Sequence, residues 1–345
     1  MAASVARTRV LHFMRNLQRD IVDALQSLDP QGPKFSEHSA KVSEQVSTTS
    51  YILQDTNIAR FGAIQSAAPF APLEKANVAF SLASHSMPSA TGDGISGLQK
   101  SGVIVPPADS QFFGASLSTV IHPRSPHAPT CHANWRYFEV HDSAGRLQNW
   151  WFGGVADLTP AYVYEQDCRE FHRTLKAACA KHGDYLYKPM KKWCDEYLYL
   201  PFRQEARGIG GIFFDNLSSH PHPRLDVNGP GTKRPTSAEE CFQFFKSIGA
   251  AFLPSYMPIL RRRAFMPWTE AERNWQLSRR GRYVEFNLIA DEGTKFGINT
   301  RSAPVESVLL SLPETARWVY LSDNVPEWSR EAELLKVLKV PQEWA

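Results

Sequence analysis

The sequence has no C-x-x-C pair, and its five cysteines, Cys131, Cys168, Cys179, Cys194 and Cys241, stand apart from one another. That removes the spacing on which zinc ribbons and iron–sulfur clusters depend. An odd, scattered set also argues for structural thiols in a reducing compartment rather than a disulfide scaffold, so the chain is expected in the cytoplasm. No run of about 18 apolar residues, the length a membrane span needs, occurs. The formal net charge is +3 over 345 residues, too small to argue for a nucleic-acid or membrane-surface partner. Internal repeats are missing. So are the G-x-G-x-x-G and P-loop patterns. The run Arg207-Gly208-Ile209-Gly210-Gly211 breaks both and reads as a closely packed, buried strand. What remains, 43% hydrophobic and 21% charged residues, fits an ordinary globular chain long enough to bury a sizeable core.

The pattern along the chain is mixed. Val10, Phe13, Leu17, Ile21 and Leu25 recur at helical spacing, so the basic N-terminus reads as a folded first helix rather than a targeting segment. Residues 56–73 and 84–99 are rich in Ala, Ser, Gly and Pro and read as loops. Strands are expected at Leu117 to Ile121, Thr130 to Val140 and Asn149 to Gly154, with a hairpin turn at His141–Gly145 between the last two. A helix follows, with Thr159-Pro160 as its start, Cys168, Phe171, Leu175 and Ala178 as its apolar stripe and Gly183 as its stop. Residues 218–236 read as an exposed loop, 238–260 as a helix bent or ended by Pro254 and Pro258, Tyr283 to Ile289 as a strand, and Arg330 to Leu338 as a short helix. Hairpin-linked strands with helices in other stretches predict an α+β fold with a mainly antiparallel sheet.

The strand from Cys131 to Phe138 carries the most chemistry. Side chains alternate faces, so His132, Asn134 and Arg136 share one face while Cys131, Ala133, Trp135 and Tyr137 share the other. A base, an amide and a guanidinium in a row are costly under an apolar core, but plausible as the floor of a polar pocket. If the hairpin turns near Ser143–Ala144, His132 lies opposite Val155 to Asp157. Asp157 then reads either as a capping acid ahead of the next helix or, beside His132 and Arg136, as an acid/base group. Asp291 reads as a turn residue. The arginines at Arg203, Arg207, Arg261 to Arg263, Arg279, Arg280 and Arg282 suit a ligand with several carboxylates, although most such residues form ordinary ion pairs. His122, His127 and His132 fall close enough in sequence to raise a three-histidine metal site as an alternative.

Several blocks then resemble one family. They are residues 120–139 (VIHPRSPHAPTCHANWRYFE), WWFGGVADLTP (150–160), FHRTLKAACAKHG (171–183), KKWCDEYLYLPFR (191–203), RGIGGIFFDNL (207–217), RRGRYVEFNL (279–288) and SLPETARWVY (311–320). Together they resemble oxygen-dependent coproporphyrinogen III oxidases from about residue 110 to the C-terminus. The resemblance implies a single domain over 1–345, with a divergent N-terminal part at 1–110. It implies a large antiparallel sheet flanked by helices on both sides, and a homodimer. It implies oxidative decarboxylation of coproporphyrinogen III to protoporphyrinogen IX, two propionates becoming vinyl groups, with O2 as co-substrate and no metal or organic cofactor. In that family the residue matching His132 donates a proton, those matching Asp157 and Asp291 activate and bind substrate, and those matching Ser118, Asn134, Trp135 and Arg136 bind it. The family's T-P-G-S-R segment is here Thr300-Arg301-Ser302-Ala303-Pro304. Pro304 stands where its substrate-binding arginine is, which leaves Arg301 and Ser302 as the substrate-binding candidates. The other functional readings are a metal-dependent oxygenase using His122, His127 and His132, and a tetrapyrrole carrier without catalysis.

Overall fold

A computed structural model describes residues 2–41, 46–54, 71–86, 110–226, 233–299 and 305–345. The chain opens with helix α1 (Ala2–Gln26). Six strands then pair in sequence as an antiparallel meander: β1 (Ser36–Lys41), β2 (Val46–Gln54), β3 (Leu73–Ser86), β4 (Gln111–Pro123), β5 (Thr130–His141) and β6 (Leu147–Thr159). After helices α2 (Glu165–Ala180) and α3 (Tyr187–Tyr197), β7 (Tyr199–Leu200) and β8 (Glu205–Ala206) form a small hairpin. Strand β9 (Gly211–Leu217) then returns to pair with β6 as the seventh strand of the main sheet. Helix α4 (Ala238–Arg263) and helix α5 (Glu270–Glu285) follow. A π-helical turn (Phe286–Ala290), α6 (Glu292–Asn299), α7 (Val305–Leu309) and α8 (Arg330–Lys339) complete the described chain.

One face of the sheet is apolar because alternate strand positions are. Val78, Leu117, Trp135, Phe152 and Phe214 project toward α1, α2 and α4, whose own stripes (Ile21, Phe171 and Phe245 among them) close the main core. Gly154 keeps that face dense. A Cβ there would meet Trp135 at 2.7 Å and Phe214 at 2.8 Å, so its absence lets two large rings pack across β6. At roughly 25 cal/mol per Å2 of apolar area removed from water, this layer is the main favourable contribution to folding. The opposite face is polar, and a smaller cluster of Val155, Cys194, Leu198, Phe213 and Phe286 covers only its β6–β9 side.

The hairpin between β5 and β6 turns through Asp142–Arg146, and its register sets His132 opposite Asp157. Four local expectations fail. Of the stretches 56–73 and 84–99 read as loops, Leu73 and residues 84–86 belong to β3, and 56–70 and 87–99 lie outside the described residues. Strand β6 runs on through Thr159, paired with Thr130, and α2 begins only at Glu165 after Tyr164. Asp157 is therefore a strand residue and caps no helix. Tyr283 to Ile289 is helical. Thr269 and Glu272 form a capping box that starts α5, and buried ion pairs along α5 override the strand preference of its aromatic and β-branched end. The segment 218–236, in its described part, is not simply exposed, because buried Arg234 donates to the carbonyls of Ser218, His220 and Pro235.

Glu74 anchors α5 to β3. Its carboxylate accepts from Arg273, Arg280 and Thr315, and it is almost fully buried. Burial pushes this carboxyl up, but the guanidiniums of Arg280 and Arg273 outweigh that and hold it at about 2. Its folded value lies below the ordinary 4.5, so its stabilisation is complete above that value and is lost as pH falls toward 2. Glu74→Gln leaves two buried arginines short of a counter-charge. It is expected to cost about 3–5 kcal/mol and to flatten the acid limb of stability between those pH values, as read by chemical denaturation against pH.

Candidate active site

The polar face of the sheet holds the site. Asn134 lies between Ser118 on β4 and Val155 on β6, and Arg136 lies between Ser116 and Gly153. Ser116 donates to Asn134 Oδ1 at 3.3 Å. His132, Asn134, Arg136 and Ser118 are each partly exposed, while their neighbours Ala133, Trp135 and Tyr137 are buried on the other face. Alternation read from the sequence thus places four of the predicted residues on one floor. It removes the side chain of a fifth, Trp135, which is 1% exposed and packs edge-on against Phe245 in the core.

His132 and Asp157 pair across β5 and β6 at one end of this floor. His132 Nδ1–H donates to Asp157 Oδ1 at 2.7 Å. The carboxylate fixes the tautomer, so Nε2 is the nitrogen able to exchange a proton with a ligand. The second oxygen of Asp157 accepts from Arg207, and both of these side chains are sealed from solvent. Burial pushes the Asp157 carboxyl up, but the Arg207 guanidinium and His132 bring it below the ordinary carboxylate range. Arg207 is itself held between the rings of Tyr283 and Phe286, each 4.7 Å from its guanidinium carbon. Asp157 therefore lies behind His132, sealed from solvent.

Aromatic rings wall the floor. Tyr197 stacks on Phe213 at 4.6 Å and Phe286 meets Tyr197 edge-on. Phe112, Phe138 and Trp151 cluster at the other end of the strands. The Tyr197 hydroxyl donates to Asp291 Oδ1 at 2.8 Å, while Asp291 Oδ2 accepts from the backbone and hydroxyl of Thr294. Asp291 is thus the cap of α6, tied by Tyr197 to the β9 side of the floor. Arg136 lies 5.7 Å from the Phe213 ring centre, and its Nε and Nη2 are buried without a hydrogen-bond partner. Arg301 and Ser302 lie outside the described residues. Nothing in the spacing of Tyr197, Phe213 and Tyr283 points to this floor, and Arg207, although in an arginine-rich stretch, has its partner 50 positions away.

The three histidines do not converge. His122 contacts Thr130 and the Ser311 carbonyl, and His127 contacts Tyr164 and the Pro267 carbonyl. His132 contacts Asp157. Burial, with the nearby Arg280 charge, lowers His122 to about 3 and keeps it neutral. Among the described residues no group of three His, Cys, Asp or Glu side chains is placed to hold a metal ion.

Comparison with known proteins decides the family. The family model described as coproporphyrinogen III oxidase matches residues 9–344. The chain belongs to the coproporphyrinogen III oxidase family. The match begins in α1, well ahead of the blocks that carry the resemblance in the sequence. An oxygen-dependent coproporphyrinogen-III oxidase of Drosophila melanogaster is 40% identical over 98% of this chain and 78% of its own length. A chloroplastic one of Hordeum vulgare is 38% identical over 98% of this chain and 80% of its own. The mitochondrial enzyme of Rattus norvegicus is 48% identical over 68% of this chain, and the matched stretch spans about half of that relative's length (48%).

Asp157→Asn would keep the shape but remove the charge that fixes His132 and balances Arg207. The expected result is a lowered thermal midpoint together with at least about a 100-fold fall in kcat, the scale of a lost acid–base group. Turnover and melting of the purified variant check both.

Proposed function

We propose that the chain carries out the oxygen-dependent oxidative decarboxylation of coproporphyrinogen III to protoporphyrinogen IX, in the formation of haem. The observation that carries this reading is the row of Ser118, Asn134 and Arg136 beside the His132–Asp157–Arg207 line, in which Asp157 and Arg207 are buried and His132 is partly exposed. Family membership and the names of the relatives support it.

The roles follow from the geometry. Arg136 has two buried N–H groups without partners, which suits pairing with a propionate carboxylate. Ser118 and Asn134 offer hydrogen bonds to the rest of the ring system from the same floor. His132, oriented by Asp157, exchanges a proton at Nε2 near the reacting arm. Asp291, through Tyr197, places a carboxylate at the β9 side, where it suits pyrrole N–H groups. Each arm loses its carboxylate as CO2 and a hydride equivalent from its side chain, giving a vinyl group. The two electrons, with one added proton, reduce O2 to hydrogen peroxide, so arm, O2 and H+ become vinyl, CO2 and H2O2. Charges already held in place on the floor do this work with little reorganisation.

The same proposal includes function without a resident cofactor, a cytoplasmic setting and a homodimer. Five buried free thiols support a reducing compartment. The exposed Trp318, Tyr320 and Leu321 support a protein partner such as a second copy. Among the described residues no helix is long and apolar enough to cross a membrane.

Purified protein treated with a strong chelator is expected to release CO2 from coproporphyrinogen III in air and to stop when O2 is removed. Loss of activity on chelation, or equal turnover without O2, would overturn the reading. Arg136→Gln is expected to raise KM by about tenfold or more, since a charge-assisted hydrogen bond contributes about 1.5–3 kcal/mol. Steady-state kinetics of that variant give the figure.

A further inference from the structure

Three strands bring Arg136, Gly153 and Asp215 into one row. Arg136 on β5 pairs with Gly153 on β6, and Asp215 stands on β9 just beyond the bulge where Gly154 pairs with Phe214. A Cβ on Gly153 would lie 2.5 Å from Asp215 Oδ1 and 3.2 Å from Arg136 Nε. The missing side chain is what lets a carboxylate and a guanidinium meet over the strand between them. They meet loosely. Nη2 and Oδ2 are 3.5 Å apart, and Nε and Nη2 stay unpartnered. Arginine–carboxylate pairs frequently close into a two-bond fork. Here the charge is balanced while two guanidinium nitrogens keep no hydrogen-bond partner.

We propose that Asp215 is a positioning residue that holds Arg136 by charge, leaves its N–H groups for a ligand carboxylate, and limits how tightly that carboxylate is retained. The inference rests on the reading of Arg136 as a propionate-binding residue. A carboxylate on Arg136 feels the like charge of Asp215, so its pairing is weaker than with Arg136 alone. Once the arm has lost its carboxylate, Asp215 is again the counter-charge of Arg136, and the uncharged vinyl arm is free to leave. Weakening the hold on the bound substrate, and not on the reacting state, favours turnover over retention.

The test is binding of coproporphyrin III, the oxidised tetracarboxylate, followed by fluorescence without turnover. Asp215→Asn is expected to bind it about five-fold tighter than the unmodified chain, the scale of one partly exposed charge contact. In turnover the same variant is expected to lower KM and kcat together. The gain in binding should vanish when Arg136→Gln is also present. Asp215→Ser carries the same test by removing the charge with a smaller side chain, should the asparagine variant fold poorly. Unchanged or weaker binding by a variant with an unaltered thermal midpoint would overturn the proposal, because a merely structural role gives that result. Porphyrin binding needs no O2 and no reaction. Failure of the unmodified chain to turn over coproporphyrinogen would therefore count against the function alone.

Discussion

The charge of Asp157 is the constraint around which the pocket is arranged. An isolated carboxylate in so enclosed a place would be neutralised by protonation. It stays charged because Arg207 and His132 each give it a hydrogen bond. Arg207 in turn depends on the segment that follows it. Ile209 N–H donates to Leu158 O, and Leu158 N–H donates to Gly210 O, stitching that segment to β6. Gly208 and Gly211 allow the approach, since a Cβ on either would lie 2.3 and 1.9 Å from the carbonyl oxygens of Leu158 and Ala156. Buried His172 completes the clamp, donating from Nε2 to Ile209 O and accepting from the Tyr187 hydroxyl. The orientation of His132 is thus set, through Asp157 and Arg207, by backbone packing on the far side of the strand pair.

The same physics explains where the arginines go. Several that suit a polycarboxylate ligand by composition are instead tied into the scaffold. Arg273 and Arg280 meet Glu74, and Arg279 and Arg282 meet Glu205. Glu285 joins Arg203 and Arg282. These pairs fix α5 across one end of the sheet, which places Tyr283 and Phe286 against Arg207. Removing Glu74 or Glu205 would leave buried arginines short of a counter-charge, which is costlier than the pairs are stabilising. Arg136 instead lies on the polar floor, partly exposed, with Asp215 at a loose 3.5 Å as its counter-charge.

The sequence alone determined the antiparallel α+β plan, a hairpin turn centred near Ser143–Ala144, and the polar row His132, Asn134 and Arg136 with the stretch Val155 to Asp157 opposite. Each of these follows from a short-range rule: side chains alternate along a strand, and a turn sets the register of the strands it joins. Motif resemblance added the family. Only the tertiary structure decided that Asp157 stands behind His132 with Arg207 and that 283–289 is helical. It alone decided that Asp291 caps α6 under Tyr197 and that Gly153 opens a path between Arg136 and Asp215. Those depend on partners dozens to hundreds of residues away. Burial and charge pairing act through space, and neither spacing nor propensity along the chain records which partner arrives.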